Sequence, residues 1–314
     1  MPVNFQDDPR YRSLDPALVL RQYEVEKALR GRLLAAPAPQ RAAVFLAVYD
    51  ELFERCPWHP ALAELQPPDA LQQTHRQVEA LLAFLPHNRE LRILEIGCGM
   101  GELLTGLSQL GYDCTGLDVS RTRIEFLQSR RAKKLRFEQA EGTRLPFADA
   151  SFDVVISIQL FEHLHPDDAE THLREVGRVL SPGGRYLMET PNRWSGPGDV
   201  SRFFSDRPEG FHLREYSIAE LSGLFDQTGF TQVSVVRWRK NVLPLKTAIQ
   251  LECLWCLLPR SLRRQRTFGL HNPLYIAQTR NHAVKAGILA VSTEISASDE
   301  TPGLTRRPEF WNLP

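Results

Sequence analysis

The segment from Arg92 to Gly101, Arg-Ile-Leu-Glu-Ile-Gly-Cys-Gly-Met-Gly, constrains the fold of this chain more than any other stretch. An apolar run meets a glycine-rich turn, and the turn leads into leucines at 103, 104, 107 and 110. That order predicts a strand, a tight loop and a helix, the geometry in which backbone can pass close beside a nucleotide-like ligand. A phosphate-cradling loop would require Gly-Lys-Ser or Gly-Lys-Thr, which does not occur here. A dinucleotide loop would carry a third glycine where Glu102 stands. The glycine lies at Gly101 instead, and Glu95 precedes the turn. A loop with acids and no basic residue suits a ligand without phosphates and with positive charge.

Composition narrows the partners. Lys plus Arg and Asp plus Glu are both 38, so no net charge draws the chain toward nucleic acid. Five cysteines at irregular spacing (Cys56, Cys98, Cys114, Cys253, Cys256) point to a reduced compartment and not to a disulfide framework. The N-terminal residues lack the apolar core of a secretory signal, so a cytoplasmic location is expected, and no apolar run has the length of a membrane span.

Along the chain, residues 14–86 read as helices. Leu18, Val25 and Leu29 give a weak stripe; Val44, Phe45, Val48, Tyr49, Leu52 and Phe53 give a strong one; Leu71, Val78, Leu81, Leu82 and Leu85 give a third. From Leu91 onward strands and helices alternate. Strands are expected at 91–96, 112–117, 135–138, 152–158, 185–189, 232–238 and 274–279. Ser217 and Glu220 form a capping-box pattern ahead of Ile218, Leu221, Leu224 and Phe225. The insert 239–273 carries an apolar stretch at 244–258 followed by Arg260, Arg263, Arg264 and Arg266. It reads as a buried or dimer-contacting helix, with peripheral membrane contact through 242–266 as the other reading. Residues 282–314 read as a disordered tail.

Asp118 ends the second strand, about 20 residues after the first glycine, where a carboxylate reaches the hydroxyls of a ribose. With Glu95 and Glu102, it points to a cationic, adenosine-like ligand without pyrophosphate. At these residues the chain resembles the class I S-adenosylmethionine-dependent methyltransferases, in the type 11-like small-molecule branch that includes the quinone-biosynthesis methyltransferases. LEIGCGMG matches the first cofactor loop, LDVS the second, AEGTRLPF the adenine segment, FDVVISIQLFEHL the fourth strand with its loop, and LSPGG the turn before the fifth.

The resemblance implies an α/β Rossmann-like, seven-stranded, mostly parallel sheet in the order 3-2-1-4-5-7-6, with helices on both faces and an antiparallel last strand between strands five and six. It implies an N-terminal helical cap (1–86), a cofactor-binding core (87–238), a helical insert with the last core strand (239–281) and the tail. S-adenosylmethionine is the implied cofactor. Glu95, Gly97, Cys98, Gly99 and Gly101 would form its methionine side, Asp118 would hold the ribose, and Val119 would pack on the adenine. Glu141 and Gly142 would face the adenine amino group, Glu141 standing where the family usually has aspartate, and Gln159 would lie near the transferring methyl.

The expected reaction is O-methylation of a small-molecule acceptor. His163, His212 and Glu162 are the candidate catalytic residues, with His165 and Tyr216 behind them. Arg193, Trp194, Arg202, Phe203 and Phe204 are candidate acceptor walls. No zinc-like spacing occurs; Cys253 and Cys256 make half a site and read as core packing. The alternatives are a non-catalytic cofactor-binding regulatory module and an enzyme acting on a lipid- or quinone-like acceptor at a membrane surface. A nicotinamide oxidoreductase is disfavoured by Glu102.

Overall fold

The central predicted strands are buried on both faces, and in the computed structural model all the predicted strands pair within one eight-stranded sheet. The structure describes residues 4–63, 77–86, 88, 90–129, 133–237, 241–258 and 272–279. The strands are β1 (Arg92–Ile96), β2 (Asp113–Asp118), β3 (Leu135–Gln139), β4 (Phe152–Ile158), β5 (Leu180–Glu189), β6 (Phe230–Arg237), β7 (Asn241–Pro244) and β8 (Leu274–Thr279). Their order is β3-β2-β1-β4-β5-β8-β6-β7. β3 to β5 run parallel, while β8 pairs antiparallel with both β5 and β6. The expected seven-strand order is therefore kept. The correction is β7, which extends the edge by pairing antiparallel with β6. It is too short to show a period in the sequence.

The helices are α1 (Pro16–Ala35), α2 (Arg41–Arg55), α3 (Pro60–Ala63), α4 (described over 77–82), α5 (Glu102–Gln109), α6 (Arg121–Gln128), α7 (Ala169–Val179), α8 (Ile218–Gln227) and α9 (Leu245–Cys256). Alternation along the central strands feeds two cores. Leu94, Val155 and Met188 join Leu173, Val176, Leu221, Phe225 and Trp255 on the face of α7, α8 and α9. Ile93, Val154, Ile156 and Leu187 join Val78, Leu104, Leu107, Ile124 and Leu127 on the face of α4, α5 and α6. A strand buried on both sides must read as a continuous apolar run, which is why β4 was visible in the sequence.

α1 and α2 form a separate apolar cluster. Val25, Leu29, Leu33, Val48 and Leu52 close on Phe211 and Leu213, which precede α8. Tyr11 and Val19 close on Val200 and Phe203. The cap is thus docked on the connection between β5 and α8. The buried stripe of α1 runs through Val19, Gln22, Val25, Glu26, Leu29 and Leu33, with Val19 in place of the expected Leu18. Two polar residues inside that stripe explain its weak periodicity.

In the insert, Ala248, Glu252 and Trp255 of α9 are buried, whereas Leu254 and Leu257 are exposed. Glu252 accepts from Asn192 Nδ2 (2.6 Å) and from the Ile218 and Ala219 amides (2.8 and 3.2 Å), closing the N-terminus of α8. Cys253 is exposed and Cys256 half-buried, so neither is core packing. Among the described residues no helix is long and apolar enough to cross a membrane. Leu71, Trp238, the arginines from 260 to 266 and the expected tail lie outside the described residues.

Candidate active site

The glycine loop runs from β1 to α5 and is fixed by its own backbone. The Gly97 and Cys98 amides both donate to the Leu117 carbonyl (2.8 and 2.9 Å), which ties the loop to the end of β2. Gly101 has φ 70°, and a Cβ there would stand 2.7 Å from Phe137 Cζ, so no larger residue fits. Asp118 receives the Gly99 amide on Oδ2 (3.0 Å) and the Ser120 amide on Oδ1 (2.8 Å), with Arg123 3.7 Å away. Its carboxylate therefore shapes both loops while bordering the cleft.

Glu95 is buried behind the loop, and its Oε2 has no hydrogen-bond partner. Burial pushes its carboxyl well above the usual range, and Glu102 and Asp118 add to that. An orphaned buried carboxyl flanked by two more acids fits a cationic cofactor, which would supply the missing positive charge.

The remaining candidate cofactor residues border the same cleft: Val119, Glu141, Gly142 and Gln159. The Gly142 carbonyl accepts from His172 Nδ1 (2.7 Å), and a Cβ on Gly142 would approach that ring to 3.0 Å. Buried His172 therefore positions this loop, a role that no spacing signalled. Burial, opposed by the bond to Gly142, pushes His172 down to about 4. Gln159 has φ 52°, its amide donates to the Glu189 carbonyl (2.9 Å), and its Nε2 donates to Glu189 Oε1 (3.2 Å). Glu189 at the end of β5 is thus a site residue missed in the sequence. Its position at a strand terminus facing the cleft was the available signal.

The three candidate catalytic residues come together. One ligand atom from each of Glu162, His163 and His212 lies within 4.8 Å of the others. His163 Nδ1 donates to the Phe211 carbonyl (3.0 Å), and His212 Nδ1 donates to Glu215 Oε1 (2.7 Å). The two rings meet edge to face with centroids 4.9 Å apart. Glu162 lies behind them, fully buried; Thr190 Oγ1 donates to its Oε2 (2.9 Å), while Oε1 has no hydrogen bond and stands 3.9 Å from His212 Nε2.

Burial raises Glu162 to about 7 despite the opposing charge of His212. Burial and the neighbouring His212 hold His163 down near 3. Burial would lower His212 too, but the bond to Glu215 and the charges of Asp199, Glu215 and Glu162 outweigh it and lift it to about 9. Glu215 was not foreseen. It also accepts the Gly198 amide (2.7 Å), coupling His212 to the Ser195–Gly198 turn.

Several expectations are corrected. His165 borders the cleft and also accepts the Asp167 amide (3.2 Å), capping the short helix that follows. Tyr216 packs in the sheet core against Phe161 instead of facing the cleft. Phe203 packs on Tyr11, and Phe204 stacks on Tyr23 of α1, so both dock the cap. Arg193 pairs with Glu220 (2.8 Å) and, with Trp194, borders a separate outer pocket. Of that group Arg202 alone borders the cleft, and it stands 3.4 Å from Asp8.

The cleft itself is a space of about 2250 Å³ between sheet and cap. Small-molecule sites commonly occupy roughly 300–1,000 Å³, so this one has room for a cofactor and a second ligand. Phe45, Tyr49, Leu52 and Phe53 of α2 face the glycine loop, Asp118 and His163 across it. Arg41 at the start of α2 fastens the cap to the core through Asp167 (2.8 Å) and Asp168 (2.5 Å).

A parallel-dominated sheet with a glycine loop, an acid on the second strand and a capped cleft at the strand ends defines an α/β enzyme that binds an adenosine-type cofactor. Comparison with known proteins makes this specific. Residues 94–188 match the family described as "Methyltransferase domain". The chain is 32% identical over 198 residues to the O-methyltransferase resE of Aspergillus sclerotiorum, covering 57% of this chain and 71% of that protein. It is 34% identical over 158 residues to a probable S-adenosylmethionine-dependent methyltransferase of Mycolicibacterium smegmatis, covering 49% and 58%. A solved structure of the Burkholderia thailandensis 1,6-didemethyltoxoflavin-N1-methyltransferase shares the fold, with TM-score 0.50 and 20% identity over 78% of this chain and 91% of that one. The chain belongs to the class I S-adenosylmethionine-dependent methyltransferases. It is an enzyme that uses S-adenosylmethionine as its cofactor.

Proposed function

We propose that the enzyme transfers a methyl group to an oxygen of a small-molecule acceptor seated between the cap and the His163–His212–Glu162 cluster. The convergence of these side chains at one wall of the cleft carries the reading. Aspergillus relatives that are named O-methyltransferases support it. Bound S-adenosylmethionine supplies a methyl already activated on a sulfonium. Asp118 would hold the ribose, Glu95 would balance the positive charge, and the Gln159–Glu189 pair would border the reacting atoms. His212, with Nδ1 fixed by Glu215, turns Nε2 toward Glu162, and its ring, held toward the charged form, can orient a hydroxyl at the cleft wall. The aromatic face of α2 excludes water, and alignment supplies much of the acceleration. On this reading residues 1–86 act as a lid.

Label transfer from methyl-labelled S-adenosylmethionine to matched phenols, aliphatic alcohols and amines tests the reading. Incorporation into ether or ester products is expected. Label confined to nitrogen or carbon would overturn it.

A further inference from the structure

The catalytic cluster brings one possible ligand atom from each of Glu162, His163 and His212 to within 4.8 Å of the others. His163 and His212 each commit Nδ1, one to the Phe211 carbonyl and the other to Glu215, which leaves Nε2 as the atom each ring can offer a cation, His212 releasing its proton on binding. Metal-binding histidines are oriented in this way, the second ring nitrogen being held by a carbonyl or carboxylate. The third member, Glu162, is wholly buried, and its Oε1 lacks a hydrogen bond. An unsatisfied oxygen of that kind is costly unless a cation or proton compensates it. Other acids are buried close by: Glu26, which His59 approaches to 3.4 Å, Glu215, and Asp199, which accepts the His212 amide (3.2 Å). The spacing of these residues in the chain hides the set, because the ligands come from the loops after β4 and β5.

We propose that Glu162, His163 and His212 bind a divalent transition-metal cation at the acceptor end of the cleft. Two imidazoles and one carboxylate favour zinc, iron or cobalt over magnesium and calcium, which select oxygen ligands. Bonds of about 2.1 Å require ligand atoms no more than about 4.2 Å apart. The three ligand atoms, now within 4.8 Å of one another, must therefore draw together around a bound ion. Both rings border the cleft, so the remaining coordination positions face the space where an acceptor oxygen would sit. The inference rests on the reading that this wall is the acceptor end, and it assigns that wall a recognition chemistry: an acceptor whose hydroxyl or carbonyl oxygen binds a metal.

Titration of the chelator-stripped full-length chain with Zn²⁺ and Co²⁺, by calorimetry and by cobalt absorption, tests the site. Cys253→Ser and Cys256→Ser are included so that those thiols cannot contribute. A nitrogen- and oxygen-ligated cobalt spectrum is expected. Glu162→Gln and His212→Ala should each lose at least about a hundredfold in affinity, and Glu215→Gln about 10–100-fold, the range for an outer-shell partner. Retained S-adenosylhomocysteine binding shows that each variant is folded, and His163→Gln replaces any that is not. Absence of binding, or equal affinity in wild type and variants, would overturn the proposal and would mean that a proton on His212 satisfies Glu162. Oxygen methylation that persists in the stripped enzyme would remove the cation and leave the proposed function standing. Metal binding without oxygen methylation would do the reverse.

Discussion

At the residue scale, single side chains in this enzyme hold loops as well as ligands. Asp118 has both oxygens on backbone amides of two different loops. Asp118→Ala should weaken S-adenosylmethionine binding by about 2 kcal/mol or more, because bonds to a charged acceptor are lost and the Gly99 amide is freed. Calorimetry with the cofactor checks this, and unchanged affinity would exclude Asp118 from the site. His172 makes a second case. Its Nδ1 donates to the Gly142 carbonyl, while Nε2 faces the Tyr186 hydroxyl at 3.2 Å, an arrangement that suits the neutral ring. Its folded value near 4 lies below the ordinary 6.5. The stabilisation is therefore complete above pH 6.5 and is lost as the pH falls toward 4. A difference of that size corresponds to roughly 3 kcal/mol. Chemical denaturation at several pH values should show the loss in wild type and a flatter dependence in His172→Gln.

At the element scale, β1 and β4 were legible because they are buried on both faces and read as largely apolar segments, whereas the strand order came from the family resemblance. The glycine loop was legible because its backbone demands small residues at fixed positions. The rest was hidden for identifiable reasons. β7 is four residues long. The buried face of α1 includes Gln22 and Glu26, where Glu26 accepts from Gln22 (2.6 Å) and from the Phe211 amide (3.0 Å). A polar pair on a buried stripe erases the periodicity that identifies one. Glu215, Glu189 and His172 carry no motif, since their roles come from tertiary neighbours.

Glu252, an acid within the apolar 244–258 stretch, closes the N-terminus of α8 from within α9. Glu252→Ala should cost about 2–4 kcal/mol, since the Asn192 side chain and two amides lose their acceptor in a buried setting. Thermal or urea unfolding would measure it, and a change below about 0.5 kcal/mol, the usual range for surface substitutions, would contradict the assignment.

At the scale of the whole molecule, the enzyme pairs a sheet that carries the glycine loop with helices α1 and α2, and α2 lines the opposite side of the cleft. Their fastening at the mouth is the Arg41 pair with Asp167 and Asp168, and Arg41 is largely shielded from solvent. On the proposed lid reading, Arg41→Ala should leave S-adenosylhomocysteine affinity within about twofold while lowering turnover several-fold, because a closed lid excludes water from the reaction. Hydrogen exchange in α1 and α2 should quicken at the same time. Unchanged exchange and unchanged turnover would show that the fastening does not govern closure.

The docking of α1 and α2 on Phe211 and Leu213 also sets an order of assembly. The first two helices are synthesised with an apolar face whose partners emerge late, after β1 to β5 are already available. Closing so long a loop is slow compared with local pairing. The donor half can therefore organise first, and the cap must wait, with its aromatic face uncovered, until the segment before α8 arrives. During that interval the nascent chain already has the parts of a cofactor site but exposes the surface most prone to association. A ligand that binds the cofactor loops would hold the sheet in its native form through this window, so S-adenosylhomocysteine added during refolding should raise the yield of soluble enzyme.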